Sequence, residues 1–81
     1  MTIQEHYQDL KAKHPDAVLL FRKNDFYIEV GEDAETCARE LGITLTKGKD
    51  GMKQTMFPYH TIDTYLPRLI RAGHRVVITD L

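Results

Sequence analysis

The first feature of this sequence that could do chemistry is an aromatic side chain placed directly after a tight polar turn. An apolar run over residues 19–21 leads through Arg22 into Lys23-Asn24-Asp25, and Phe26 follows at once. A ring in this position either packs inward as core or stands outward, where apolar side chains of some proteins wedge between stacked bases. The orientation of Phe26 therefore decides between a structural residue and a binding residue.

A second candidate for chemistry is a lysine cluster in the polar loop over residues 47–53. Lys47, Lys49 and Lys53 are interpreted either as a solvated loop or as contacts to phosphate, which position a protein on nucleic acid without reading its sequence. Residues 1–42 carry five basic and nine acidic side chains, whereas residues 43–81 carry six and three. An anionic partner is therefore expected at the C-terminal half, and with a net charge of −1 its binding should be weak and salt-sensitive.

The remaining reactive residue types do not combine into a catalytic or metal-binding pattern. Gly42 to Lys49 resembles a phosphate loop, but its spacing is off by one and Asp50 stands where Ser or Thr should hold magnesium. The histidines have no metal-ligand spacing; they are His6, His14, His60 and His74. Cys37 lies on an apolar helix face and is expected to be buried and inert. The sequence thus predicts no enzyme, no cofactor and no metal.

Length and composition indicate one small domain spanning residues 1–81. No apolar run approaches the roughly 20 residues of a membrane span, and the polar start is unlike a signal peptide. A single cysteine excludes an internal disulfide and fits a reducing compartment. We therefore expect a cytoplasmic protein that does not contact a membrane.

Helix and strand signals in the first half are clear. Thr2 and Glu5 have capping-box spacing, so a helix is predicted from there to His14, which precedes a proline. The apolar stripe of that helix is Ile3, Tyr7 and Leu10. Residues 17–21 and the alternating stretch 26–30 predict two strands, paired antiparallel through the tight turn. A second helix ends before Gly42, which suits a left-handed position.

The second half predicts a brief strand over residues 43–46, a mobile loop and a returning strand over 54–57. A third helix follows, with Pro67 in its first turns, Gly73 at its end and a last strand over 76–78. Its apolar stripe, expected in the core, is Ile62, Tyr65, Leu66, Leu69 and Ile70. The order of elements predicts an α/β fold, with a small mixed β-sheet and about three helices.

Several segments of the sequence resemble the first domain of the MutS family of DNA mismatch repair proteins. The similarity is carried by these segments, all in the family's order: residues 14–22, Asp25-Phe26-Tyr27 with Glu32-Asp33-Ala34, residues 41–46, Pro58-Tyr59-His60, Tyr65-Leu66, Leu69-Ile70 and residues 73–78. The resemblance implies a MutS domain I-like fold and a phenylalanine wedge at Phe26 that stacks on a mispaired base. It also implies a glutamate two residues later that bonds this base.

The sequence departs from the family pattern at positions that matter for this function. Ile28 occupies the glutamate position, and Glu29, one residue later, should face the other side of the strand. Asn24 replaces a glycine, and Thr55-Met56-Phe57 replaces a glycine-containing turn. The connector, lever, clamp and ATPase regions are not in this sequence, so we expect a stand-alone domain without ATP binding.

Two functions remain open from the sequence. The first is weak binding of mismatched or distorted double-stranded DNA, with Phe26 as wedge and Lys47, Lys49 and Lys53 as phosphate contacts. The second is a protein–protein interaction module or homo-oligomer, derived from the same domain and using exposed strand edges or apolar patches without DNA binding.

Overall fold

The computed structural model describes residues 2–81 and has three helices and five strands in that range. The elements in chain order are α1 (Ile3–Lys13), β1 (Ala17–Lys23), β2 (Phe26–Val30), α2 (Gly31–Leu41), β3 (Thr46–Lys47), β4 (Lys53–Pro58), a 3₁₀ turn (Tyr59–Thr61), α3 (Ile62–Arg71) and β5 (Arg75–Asp80). The predicted α/β class with a mixed sheet and three helices is confirmed. Within residues 2–81, no helix combines the length and apolar character needed to cross a membrane.

The sheet mixes antiparallel and parallel pairings. Its strand order is β3-β4-β2-β1-β5; β1 pairs antiparallel with β2, β2 with β4 and β4 with β3, whereas β5 runs parallel to β1. The link from β4 to β5 passes through α3, since parallel strands cannot be joined by a tight turn. The predicted antiparallel pair β1–β2 is confirmed, with Lys23 directly opposite Phe26.

Helices cover the two faces of the sheet unequally. Helices α2 and α3 close one face over a core of Val18, Leu20, Tyr27, Cys37, Leu41, Phe57 and Leu69. Helix α1 alone covers the opposite face, where a second core consists of Ala17, Leu19, Phe21 and Val30, with Ile3, Tyr7 and Leu10 packed on it. We call these the closed face and the open face, because one 11-residue helix cannot span the five strands.

Helix α1 begins as the sequence predicts. The Thr2 hydroxyl accepts a hydrogen bond from the Glu5 backbone N–H, and the Glu5 carboxylate accepts one from the Thr2 N–H. Hydrogen bonding of the carboxylate by Thr2, chiefly by its backbone N–H and also by its side chain, lowers the pKa of Glu5. The helix ends at His14, whose N–H bonds the Leu10 carbonyl. The predicted apolar stripe is confirmed, since all three of its side chains pack on the sheet.

A buried carboxylate fastens α2 to both α1 and β1. Asp33, only 3% exposed, accepts hydrogen bonds from Lys11 Nζ at 2.8 Å and from the Leu19 N–H at 3.0 Å. The ladder between β1 and β2 begins only at Phe21, so the Leu19 N–H would lack a β2 partner. Asp33 satisfies that donor, as a buried backbone N–H requires, and fixes the start of α2 where β2 ends.

Two predictions were wrong in detail. The strand expected over residues 43–46 is reduced to Thr46–Lys47, because the preceding residues have no ladder partner and Ile43 instead packs against the closed-face core. Ile70, expected in the core, is 54% exposed, whereas its neighbour Leu69 is fully buried. Pro67 is the sixth residue of α3, within its second turn.

Candidate nucleic-acid interface

The hairpin between β1 and β2 presents Phe26 at the surface. Asn24 takes the left-handed conformation with φ 55°, which asparagine tolerates better than most residues, so two residues suffice to turn the chain. Phe26 then begins β2 and is 39% exposed, with Lys23 opposite it on one side and Pro58 on the other. The interpretation of Phe26 as a buried core residue is therefore wrong.

Contacts on both sides hold this hairpin in place. The Tyr59 N–H donates to the Asp25 carbonyl at 2.8 Å, which ties the turn to the end of β4. The Arg22 guanidinium lies over the Tyr59 ring, 4.4 Å from its centre, and the Leu81 N–H donates to the Arg22 carbonyl. Phe26 is thus carried on a tethered turn rather than on a free loop, which lowers the entropy cost of presenting its ring.

Phe26 belongs to an apolar strip of the open face that α1 leaves uncovered. Side chains of directly paired strand residues lie on the same face, so Phe26 shares this face with Pro58, and Ile28 shares it with Met56. Met56 is 44% exposed, and Ile28 is half-buried. We call these four residues the open strip. Exposed apolar side chains gathered in this way are a common mark of a binding surface.

The residues between them on β2 point into the closed face instead. Tyr27 is buried, with its ring 5.5 Å from that of Phe57. Glu29 is fully buried beside Thr55. The expectation that Glu29 faces the other side of the strand from position 28 is therefore confirmed.

Burial makes Glu29 an unusual acid. The Thr55 hydroxyl donates to its Oε1 at 2.8 Å, while Oε2 has no hydrogen-bond partner within residues 2–81. Loss of hydration raises the pKa of Glu29 to about 8, against the smaller lowering effect of the Thr55 bond, and the nearby Asp33 charge raises it further. Glu29 therefore carries its proton through the neutral range, which suits a carboxyl group placed in a core.

A groove of about 670 Å³ opens on the described surface beside the open strip. Its positively charged residues are Lys23, Lys47 and Lys49. Its apolar residues are Ile3, Ile28 and Leu81, and Gly48, Asp50 and Gln54 complete it. None of the three lysines forms an ion pair with another residue in the range 2–81. The groove therefore joins an apolar surface to a net positive charge, with three lysines against the single acidic side chain of Asp50.

The structure brings together three of the four residues singled out by sequence. Phe26 lies on the open strip, and Lys47 and Lys49 line the adjoining groove. Lys53 stands directly opposite Lys47 in the β3–β4 ladder, but its ammonium pairs with Glu35 of α2 and it does not line the groove. The sequence did not single out Lys23 or Met56. A two-residue turn places Lys23 opposite Phe26. Met56 alternates along β4 with the buried Thr55 and Phe57. The pairing register of the strands is therefore the signal that would have identified both residues.

Other reactive groups in the described part of the chain do not form a site. Burial raises the pKa of the Cys37 thiol, and the Glu29 and Asp33 carboxylates raise it further, so this thiol stays protonated. The prediction that Cys37 is buried is confirmed. Among residues 2–81, no group of three or more His, Cys, Asp or Glu side chains is placed to hold a metal ion.

The comparisons with known proteins all point to the same family. The family model described as MutS domain I matches residues 1–81. The chain is 55% identical over 82 residues to the DNA mismatch repair protein MutS of Bacteroides fragilis strain YCH46 and 54% identical to that of Bacteroides thetaiotaomicron. It is 48% identical over 81 residues to the MutS protein of Christiangramia forsetii.

These matches cover nearly all of the chain but little of each relative. In the three comparisons 96% of the chain is aligned, against 10%, 10% and 9% of the respective MutS protein. The chain thus spans about a tenth of the length of the curated relatives it matches. The fold, the Phe26 hairpin and these identities lead to one conclusion: the chain belongs to the MutS domain I family.

Proposed function

We propose that this chain is a non-catalytic DNA-binding domain that uses the open strip and the lysine groove to contact distorted double-stranded DNA. Phe26 acts as the wedge between bases, and Lys23, Lys47 and Lys49 contact phosphates. The observation that carries the proposal is the 39% exposure of a phenylalanine ring on a tethered hairpin, near a groove whose three lysines have no ion-pair partner within residues 2–81.

The physical gain comes from replacing lost base stacking with an aromatic ring. Stacking between a base and an aromatic side chain contributes about 1–3 kcal/mol per base, and a mispaired base costs less to unstack than a paired one. Phe26 stands at a sheet corner with its neighbour Met56 also exposed, so inserting the ring hides apolar surface that the free protein leaves in water. Distorted sites are favoured because their bases are already partly unstacked.

Electrostatics makes this binding modest. The chain has a net charge of −1, so attraction to phosphate depends on the local cluster at the groove rather than on the whole molecule. Each lysine that neutralises a phosphate releases counterions, and the affinity falls as salt rises. We expect binding in the micromolar range at low salt, weakening at physiological salt toward the dissociation constants of about 10⁻⁴–10⁻⁶ M that are common for non-specific contacts.

Selectivity should rest on distortion and less on hydrogen bonding. The resemblance to the family places a base-bonding glutamate at position 28, where this chain has Ile28. An aliphatic side chain neither donates nor accepts, so this position adds no hydrogen bond that distinguishes one mispair from another. The preference for mismatched over matched DNA then comes from the lower cost of unstacking alone.

The direct test is fluorescence anisotropy with labelled matched and G·T-mismatched duplexes at low and physiological salt. Phe26→Ala should weaken binding by about fivefold or more, which corresponds to the lower end of the stacking gain. Ile70→Ala is the matched control, since it removes an exposed apolar side chain from α3 and should leave binding unchanged. Equal affinity of the parent chain and Phe26→Ala would overturn the wedge.

A second candidate function, association with another protein or a second copy, is favoured by a different part of the surface. Strand β5 is the last strand of the sheet within residues 2–81, and Ile78 on it is 46% exposed. An edge strand with an exposed aliphatic side chain is a template for strand pairing. A molecular mass that rises with concentration in sedimentation experiments, and returns to the monomer value with Ile78→Lys, would support self-association. A constant monomer mass would exclude self-association.

A further inference from the structure

The two edges of the sheet differ in how they are protected. The β3 edge is only two residues long, Thr46–Lys47, and a glycine and a second lysine follow it directly. Short strands and edge lysines are devices by which proteins prevent unwanted strand pairing. The β5 edge is six residues long, Arg75–Asp80, and holds no proline, lysine or glycine. Within residues 2–81 the sheet is therefore protected against a further strand at one edge and open to one at the other.

The ladder between β5 and β1 shows which backbone groups of β5 face outward. The Leu81 N–H donates to the Arg22 carbonyl, so the backbone groups of every second residue before Leu81 also face β1. The N–H and C=O groups of the intervening residues, Val76, Ile78 and Asp80, point away from the sheet. No strand within residues 2–81 pairs with them. These groups obtain hydrogen bonds only from water or from another chain.

The side chains of β5 are apolar in the middle of the strand and charged at its ends. Val76 packs on the closed-face core and Val77 on the open-face core, and both are only half-buried. Ile78 is 46% exposed. Arg75 and Asp80, at the two ends, are exposed to water. A second apolar strand would cover the middle of β5 and leave the charged ends hydrated.

A second copy of β5 fits this edge in the antiparallel orientation. Opposite residues in antiparallel strands alternate between pairs whose backbone groups face each other and pairs whose groups face away. The registers that pair most of β5 therefore place a two-fold axis at Ile78 or at Val77. The axis at Ile78 sets Val76 opposite the Asp80 carboxylate of the second copy. The axis at Val77 sets Val76 opposite Ile78 and Val77 opposite its own copy, so apolar side chains meet apolar side chains.

The register centred on Val77 is also complementary in charge. The Nε2 atom of His74, one residue before β5, lies 3.5 Å from Oε2 of Glu40 on α2, so this imidazole is on the closed-face side. Asp80 faces the same side, since it alternates with Val76. The register sets Asp80 of each copy opposite His74 of the other, and no two like charges are directly opposed. The strand thus complements itself in one register.

We propose that two copies of this chain pair through β5, antiparallel and about a two-fold axis at Val77, and join their sheets into one sheet of ten strands. The proposal rests on the second candidate function and deepens it, because it commits that association to a second copy and to one register. Directly paired side chains share a face, so the open faces of both copies lie on the same side of the joined sheet. The dimer therefore presents two Phe26 hairpins on that side.

The first test measures molecular mass by sedimentation equilibrium. One strand pair buries less surface than a standard interface, so we expect a dissociation constant of about 10–1,000 µM. Ile78→Lys should restore the monomer mass, and Ile78→Thr, which keeps the β-branched shape, should weaken the dimer by about fivefold or more. Leu45→Lys, which changes an exposed aliphatic residue ahead of β3, is the matched control and should still dimerise. Thermal melts establish that the variants fold.

The second test determines the register by disulfide formation. Opposite residues in a pair without mutual hydrogen bonds have Cα atoms about 4.5 Å apart, which is within disulfide reach. Val77 forms such a pair with its own copy, so Val77→Cys should give a covalent dimer under mild oxidation. The two copies of Thr79→Cys, on the same face, would lie about 13 Å apart along the strand and should not crosslink. The parent chain should not crosslink, since Cys37 is fully buried.

The outcomes separate this proposal from the functions proposed above. A parent chain that stays monomeric at millimolar concentration would overturn the pairing. Crosslinking of Thr79→Cys in place of Val77→Cys would overturn this register and leave association through β5 standing. Neither result bears on the wedge, which is tested by DNA binding of Phe26→Ala. A chain that dimerises and binds DNA without dependence on Phe26 would overturn the wedge alone.

Discussion

The two faces of the sheet differ although the same strands build them. On the closed face, Tyr27 and Glu29 lie under α2 and α3 and are almost fully buried. On the open face, Phe26 is 39% exposed, and Ile28 borders a groove that α1 does not cover. Residues that adjoin in the chain therefore meet opposite environments, as the alternation of a strand requires.

This difference shows how so small a domain can bury a core and still leave apolar side chains exposed on one face. The closed face supplies the larger core, with three aromatic rings in contact, those of Tyr27, Phe57 and Tyr65. The open face needs only α1 and a few aliphatic contacts, which leaves the strip at the hairpin end free. Under the proposed function, stability and binding reside on different faces, and substitutions on the two faces should have different effects.

The largest contrast in stability should come from replacing one phenylalanine on each face with alanine. Phe57→Ala, on the closed face, should lower the free energy of unfolding by about 3–5 kcal/mol, which is most of the stability expected of a small domain. Phe26→Ala should lower it by less than about 1 kcal/mol, because its ring is already partly in water. Urea unfolding measures both, and equal losses would mean that the two faces do not divide these roles.

The second test uses the acid buried in the closed face. The pKa of Glu29 is about 8 in the folded chain and 4.5 in its ordinary state, so its contribution to stability is fully present below pH 4.5 and is lost as pH rises through about 8. Stability should fall by on the order of 1 kcal/mol per pH unit in that window. Glu29→Gln should flatten the curve and melt higher than the parent chain at alkaline pH. Parallel curves for the two chains would contradict the assignment.

The third test asks which lysines belong to the open face. Replacing Lys47 or Lys49 with Gln should reduce the slope of log affinity against log salt by about one for each phosphate that the variant no longer neutralises. Lys53→Gln should change the slope less, since that ammonium pairs with Glu35. Lys13→Gln, at the far end of α1, is the neutralisation control. If Lys53 had the largest effect, the groove would not be the phosphate site.

The smallest effect is expected at the turn. Asn24→Gly should change stability by less than about 0.5 kcal/mol, because relief of the left-handed conformation is offset by a more flexible unfolded chain. Asn24→Val should cost about 1–2 kcal/mol, since branched residues are strained at that φ. Thermal unfolding distinguishes them. A large loss with glycine would indicate that the asparagine side chain itself holds the hairpin.

Much of the fold could be predicted from local signals. The capping box at Thr2, the turn before Phe26 and the left-handed Gly42 each act within a few residues, so the sequence identifies the elements that they bound. The prediction of a strand over residues 43–46 was wrong in its bounds because an alternating pattern also arises when a connecting segment packs one side chain into a core. The prediction that Ile70 is buried was wrong because a helix of ten residues buries only the positions that reach the sheet.

The candidate site could be predicted only in part, and the reason is register. Phe26, Lys47 and Lys49 could be chosen by residue type and by resemblance to the family. Lys23 and Met56 become neighbours of Phe26 only when β1 and β4 pair with β2 in a particular register. The Lys53 ammonium instead forms an ion pair with Glu35 of α2, eighteen residues away in the chain. Such long-range contacts leave no local pattern.

The measurement that most directly tests the central claim is NMR shift mapping of the isotope-labelled chain with a mismatched duplex. We expect the largest amide shifts at the Phe26 hairpin, at Met56 and along the groove at Lys47 and Lys49, with little change at Ile70 and along β5. Shifts concentrated on α3 and β5, with the Phe26 hairpin unaffected, would contradict the assignment of the open face as the DNA-binding surface.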